Sequence, residues 1–98
     1  MAERVMIATI ECRPGKRDEL KGHFAKMFPV ASQEPGTMLY TLIDGDEADT
    51  LYFYEHYKDQ AAMDSHMKGE VLASLHQIFG EYIVNGSAVT GTVAQKIR

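Results

Sequence analysis

Two stretches of this chain are apolar on both faces of a strand, and that most narrows what it can fold into. In Val5-Met6-Ile7-Ala8-Thr9-Ile10, Val5 and Ile7 alternate with Met6, Ala8 and Ile10. Between Met38 and Ile43, Met38, Tyr40 and Leu42 alternate with Leu39 and Ile43. A sheet wetted on one side shows apolar/polar alternation instead. Both faces of this sheet therefore need cover, while the chain carries helical patterns for only one. A second copy in a two-fold homodimer is the simplest cover for the other.

The remaining pattern supplies the order of elements. The first strand stops at Pro14-Gly15. From Lys16 to about Ser32, Leu20, Phe24, Met27, Phe28 and Ala31 recur at helical spacing. Pro29 lacks an N–H and crowds the preceding turn, which predicts a kink near Ala25–Pro29 or an early end. Glu34-Pro35-Gly36 reads as a turn, and Met38–Asp44 and Thr50–Tyr57 as strands. The short polar connection between them suits a hairpin. A helix follows from an Asp59 N-cap to Met67, and Gly69 breaks it. A longer helix is expected from Glu70 to about Tyr82, a turn at Asn85-Gly86, and a last strand from Ala88 to about Gln95. The order β-α-β-β-α-β predicts an α+β, ferredoxin-like fold, with a four-stranded antiparallel sheet and helices on one face. At 98 residues the chain is expected to form one domain over 1–98.

Charge and composition exclude several function classes. Fourteen acidic against ten basic residues leave a net charge of −4. No window is basic enough for nucleic acid or an anionic membrane, so neither is an expected partner. The lone cysteine, Cys12, cannot form an internal disulfide or a thiolate-cluster metal site, and no base lies near it in sequence. No apolar run approaches the roughly 20 residues of a membrane span, and Met-Ala-Glu-Arg lacks the apolar core of a signal peptide. A cytoplasmic location is the expectation. No glycine-rich phosphate cradle supports a nucleotide or flavin cofactor.

Four histidines, His23, His56, His66 and His76, match no short metal-ligand spacing. His66 shares an inward helix face with Ala62, Met63 and Met67. Apolar neighbours favour the neutral imidazole, competent as a base. The same position also suits a core histidine bonded to a backbone carbonyl. His23 borders the first helical stripe, facing either the same cavity or the edge of the core, and His76 falls on a surface flank. In Tyr52-Phe53-Tyr54-Glu55-His56-Tyr57, the residues Phe53, Glu55 and Tyr57 share one strand face. A carboxylate there needs a partner or a raised pKa, as a structural anchor or as a proton acceptor. The tyrosines suit strands, and phenols also line pockets for flat ligands.

The segments Arg13-Pro14-Gly15-Lys16, Glu34-Pro35-Gly36-Thr37-Met38-Leu39-Tyr40, Phe53-Tyr54-Glu55-His56-Tyr57-Lys58-Asp59, Ala62 and His66-Met67, in this order, resemble the antibiotic biosynthesis monooxygenase (ABM) domain. The resemblance spans nearly the whole chain. It implies a ferredoxin-like protomer pairing as a dimeric α/β barrel. It also implies an oxygenase without metal or flavin that converts electron-rich phenols or quinols to quinones, the substrate carbanion reducing O₂. The pocket would lie between sheet and helices, with His66 and Tyr57 near its rim and Tyr40 and Glu55 on the sheet. Tyr57 stands where many members have Trp, and the first strand has no Asn, which disfavours the haem degradation of some relatives.

Three readings follow. The first is a cofactor-independent monooxygenase for a small aromatic substrate and O₂, with His66 as catalytic base and Tyr40, Glu55, Tyr57 and His23 around the substrate. The second is an isomerase of a small phosphorylated metabolite, for which Arg13, Lys16 and Arg17 form the compact basic cluster. The third is a non-catalytic dimeric binding module.

Overall fold

Strand β1 (Arg4–Cys12) lies inside the sheet, paired along both edges, with Met6 and Ile10 of one face buried and Ile7 of the other exposed. The structure, a computed structural model, describes residues 2–98. After β1 come α1 (Arg17–Phe24), α2 (Met27–Gln33), β2 (Thr37–Asp44), β3 (Thr50–Tyr57), α3 (Gln60–Met67), α4 (Glu70–His76), α5 (Phe79–Tyr82) and β4 (Ile83–Thr92). The strands form one antiparallel sheet in the order β2-β3-β1-β4, the ferredoxin-like arrangement.

Register decides what each face carries. Met6 lies opposite Glu55, Ala8 opposite Phe53 and Ile10 opposite Leu51. On the other side of β3, Tyr40 pairs with Glu55 and Leu42 with Phe53. This inner face packs on the helical stripe, where Leu20, Phe24, Met27, Leu75 and Tyr82 join Ile10, Leu51 and Phe53 in the main core. Phe24 meets Phe53 edge-on at 4.8 Å between ring centroids, a favoured aromatic geometry. Met6, Tyr57 and Met63 form a second, smaller core under α3. The outer face leaves Ile7, Leu39, Ile43 and Val89 exposed, although His56 on that face is buried beside Glu3 at 2.6 Å.

Several boundaries differ from the sequence-based expectation. The first helix is two helices, divided at Ala25-Lys26 inside the segment where a kink was expected. Pro29 sits in the first turn of α2, where a missing N–H leaves no bond unmade. The helix expected over Glu70–Tyr82 is likewise divided, into α4 and α5. The last strand begins at Ile83 rather than Ala88, so Asn85-Gly86 lies within β4 and not in a turn. Pairing with Glu11 and Ile10 of β1 overrides the local turn preference of that dipeptide. Asp59 caps α3 as expected, its carboxylate accepting from the Ala62 N–H at 2.8 Å.

The turn before β2 is pressed onto α3. A Cβ on Gly36 would lie 2.4 Å from the Ala62 Cβ and 3.3 Å from Lys58 Cε, and the Lys58 N–H donates to the Gly36 carbonyl at 2.9 Å. Gly22 in α1 has open space around its missing Cβ. Gly36→Ala is therefore expected to destabilise the protein by about 1–3 kcal/mol through overpacking. Gly22→Ala is expected to stabilise it by up to about 1 kcal/mol through helix propensity. Denaturant titration of the two variants checks the opposite signs.

Candidate functional site

The helices do not fill the whole inner face of the sheet. A cavity of about 370 Å³ remains between β1, β2, β3, the start of β4 and the helices, a size at the small end of ligand pockets. Its walls include Met6, Phe24, Phe53, Leu72, Phe79 and Ile83. Tyr40, Glu55 and His66 bring the ionisable groups to this apolar space, and among the described residues no lysine or arginine lines it.

Alternation along β3 turns Glu55 inward, where it is 6% exposed. Tyr57, two residues on and on the same face, donates its hydroxyl to Glu55 Oε1. Burial pushes the Glu55 carboxyl above the usual carboxylate range, against the opposing pull of the Tyr57 hydrogen bond and of His66. His66 arrives from α3, whose capped start and buried Met63 direct that face inward. Its Nε2 stands 3.8 Å from Glu55 Oε1, beyond a hydrogen bond, while its Nδ1 contacts Glu34 Oε1 at 2.7 Å. The ring lies between Tyr40 and Tyr57, at centroid distances of 5.1 and 5.5 Å. Burial, with Glu55 and Glu34 nearby, raises the Tyr40 phenol, so it stays a neutral donor.

The structure thus brings together three of the five residues singled out from the sequence: His66, Tyr40 and Glu55. Tyr57 does not reach the rim expected for it. It is fully buried beneath Glu55 and packed on Met6 and Met63, with its phenol raised by that burial. Its contribution passes through the Glu55 carboxyl. His23 does not line the cavity either: its Nε2 meets the Tyr82 hydroxyl at 3.1 Å, and Lys26 Nζ lies 3.4 Å from its Nδ1. Tyr82 also donates to Glu19, a bond that pushes its phenol up to about 12. Glu34 was legible in the sequence only as part of a turn. Its connection to His66 depends on the Gly36–Ala62 approach, and a glycine after a carboxylate and proline is a weak signal for such a contact.

Two members of the basic cluster are engaged away from the cavity. Arg17 donates to the carbonyls of Gly45, Glu47 and Thr50, and Arg13 Nε to that of Gly80 at 3.0 Å. Among the described residues no three His, Cys, Asp or Glu side chains gather as a metal site. No helix there is long and apolar enough to cross a membrane.

The raised Glu55 carboxyl has a consequence for stability. A folded-state pKa above the unfolded one means that its contribution is fully present below the ordinary value of 4.5 and is lost as pH rises through the folded value. Glu55→Gln, which keeps the shape without the charge, is expected to gain stability relative to the parent protein as pH rises from about 4 to 7. Denaturation free energies of both proteins across that range check the slope, and a pH-independent difference would contradict it.

Comparison with known proteins finds the same fold in solved structures. A crystal structure from Shewanella oneidensis superposes with a TM-score of 0.87 at 26% identity, covering 94% of this chain and 91% of that one. One from Pseudomonas aeruginosa gives 0.87 at 21% identity, with 97% of each chain covered. A protein of unknown function from Nitrosomonas europaea gives 0.87 at 18% identity, covering 100% of this chain and 95% of that one. No curated protein matches the sequence significantly. The family model described as antibiotic biosynthesis monooxygenase matches residues 4–77, most of the described fold up to the end of α4. The chain belongs to the antibiotic biosynthesis monooxygenase (ABM) family.

Proposed function

We propose that the protein is a monooxygenase that oxidises a small, electron-rich phenol or quinol to a quinone with O₂. The observation that carries this reading is His66 in the wall of the apolar cavity, its Nε2 3.8 Å from the Glu55 carboxyl that also lines it and without a hydrogen-bond partner among the described residues. An imidazole so placed takes the substrate hydroxyl proton. Tyr40 and Glu55 hold the ring oxygens, and the apolar walls take the flat faces of the ring. The phenolate, carrying carbanion character at a free ring carbon, gives one electron to O₂, and the two radicals combine to form a C–O bond. The His66 imidazolium returns its proton to the distal peroxide oxygen; loss of the ring-carbon proton then breaks the O–O bond, and the departing hydroxide takes up that proton to leave as water. One phenol and one O₂ yield one quinone and one water, the substrate supplying the electrons. A quinol with a free ring position gives the hydroxyquinone in the same way.

Two features support this reading over a phosphorylated substrate. The cavity has no lysine or arginine among its lining residues, and Arg13 and Arg17 bind backbone carbonyls outside it. The exposed outer-face residues Ile7, Leu39, Ile43 and Val89 support a homodimer closed face to face, the arrangement expected of an ABM-type barrel.

Oxygen uptake with naphthols, anthrones and hydroquinones, in chelator-treated buffer without flavin, tests the reaction. Uptake above the autoxidation blank is expected, and His66→Ala is expected to lower it by about 10²-fold or more while leaving the protein folded. Equal uptake in that variant removes His66 from the chemistry. Ligand-induced stabilisation without product would favour a binding module instead. Light scattering is expected to give twice the protomer mass, reduced to the protomer by Leu39→Asp on the outer face.

A further inference from the structure

We propose that Glu34 is a positioning residue that sets the tautomer of His66, an inference that rests on the reading of His66 as the base. Glu34 lies outside β2, in the turn from α2, yet its Oε1 is 2.7 Å from His66 Nδ1. The same oxygen accepts the Thr37 hydroxyl at 3.0 Å. The turn has little freedom to withdraw. Gly36 touches Ala62 so closely that no side chain fits, the Lys58 N–H holds the Gly36 carbonyl, and the Glu34 N–H donates to the Ala31 carbonyl at 3.1 Å.

Exposure and partners differ between the two carboxyl groups that flank the imidazole. The Glu34 side chain is 24% exposed, so water reaches it, whereas Glu55 is enclosed and occupied by the Tyr57 hydroxyl. An ionised carboxylate can only accept, so at the Glu34 contact the ring nitrogen donates. That puts the hydrogen on Nδ1 and the lone pair on Nε2, toward the cavity. The groups facing the ring are then Glu34 from the turn, Tyr40 from β2, and Glu55 and Tyr57 from β3. When Nε2 takes a substrate proton, the Glu34 contact becomes an ion pair and steadies the imidazolium. Without Glu34, the ring loses the partner that selects the reactive tautomer.

The test reads the tautomer directly and does not depend on activity. Long-range ¹H–¹⁵N spectra at neutral pH, with His66 assigned by its loss in His66→Ala, are expected to show a protonated Nδ1 and an unprotonated Nε2 in the parent protein. Glu34→Ala is expected to shift the tautomer ratio toward Nε2–H by at least about tenfold and to lower kcat about 10²-fold, with KM within about twofold. Glu34→Gln keeps the oxygen that both Thr37 and His66 contact. It is expected to retain the Nδ1–H tautomer and lose only about tenfold in kcat, because the charge is gone. A protonated Nε2 in the parent protein, alone or together with Nδ1–H, overturns the proposal. So does a tautomer ratio that Glu34→Ala leaves unchanged in a folded protein. If the spectra behave as expected while no phenol or quinol is oxidised, the substrate reading fails and the role of Glu34 stands.

Discussion

A carboxylate on the inner face of an interior strand is the constraint on which the rest of the site depends. Glu55 lies between Met6 of β1 and Tyr40 of β2 in the sheet register, where burial leaves its charge poorly solvated. A buried carboxyl must find partners or stay protonated. Tyr57 supplies one bond from the same strand face, and His66 supplies a polar neighbour from α3. The cavity inherits its ionisable end from this arrangement, and its remaining walls are mostly apolar, with Thr9 and Ser87 also lining it.

Packing links that end of the cavity to the scaffold. The small residues Gly36 and Ala62 allow the turn before β2 and helix α3 to meet, and the meeting carries Glu34 to the back of His66. The ring is thus held by a surface-reaching carboxylate on Nδ1, while Nε2 lies on the side of Glu55, which lines the cavity. Distances decide the division: 2.7 Å is a hydrogen bond, and 3.8 Å is too long for one, so Nε2 is not bonded to Glu55. Among the described residues nothing covers the outer face in the same way, and its apolar residues stand in contrast to the helix-covered inner face.

The sequence was most legible where local periodicity and burial agree. Thr50–Tyr57 is read correctly at both ends, and β1 and β2 each begin one residue before the expected start. Leu20, Phe24, Met27 and Ala31 are buried as their helical spacing requires. The fourth strand was misplaced because Asn85-Gly86 carries a turn signal that only its pairing with β1 cancels. Among site residues, His66 and Glu55 were visible as polar groups on inward faces. Tyr57 shares its face with Glu55, but the sequence cannot say that α3 closes over it before it reaches the cavity. His23 belongs to a different neighbourhood because Tyr82, at the far end of the chain from it, returns to meet its ring.

The sequence by itself determined the order of elements, the two-faced apolar character of the sheet, the capped start of α3 and the set of polar groups turned toward the interior. These follow from alternation in strands, spacing in helices and capping chemistry, which act over a few residues. Only the tertiary structure decided which of those groups share a cavity and which nitrogen of His66 is held. Glu34 and His66 are 32 residues apart, and the turn, strand pair and helix that join them meet only when the sheet and its cover pack together. Hydrogen bonds between distant residues depend on ångström-scale placement, which no local pattern encodes.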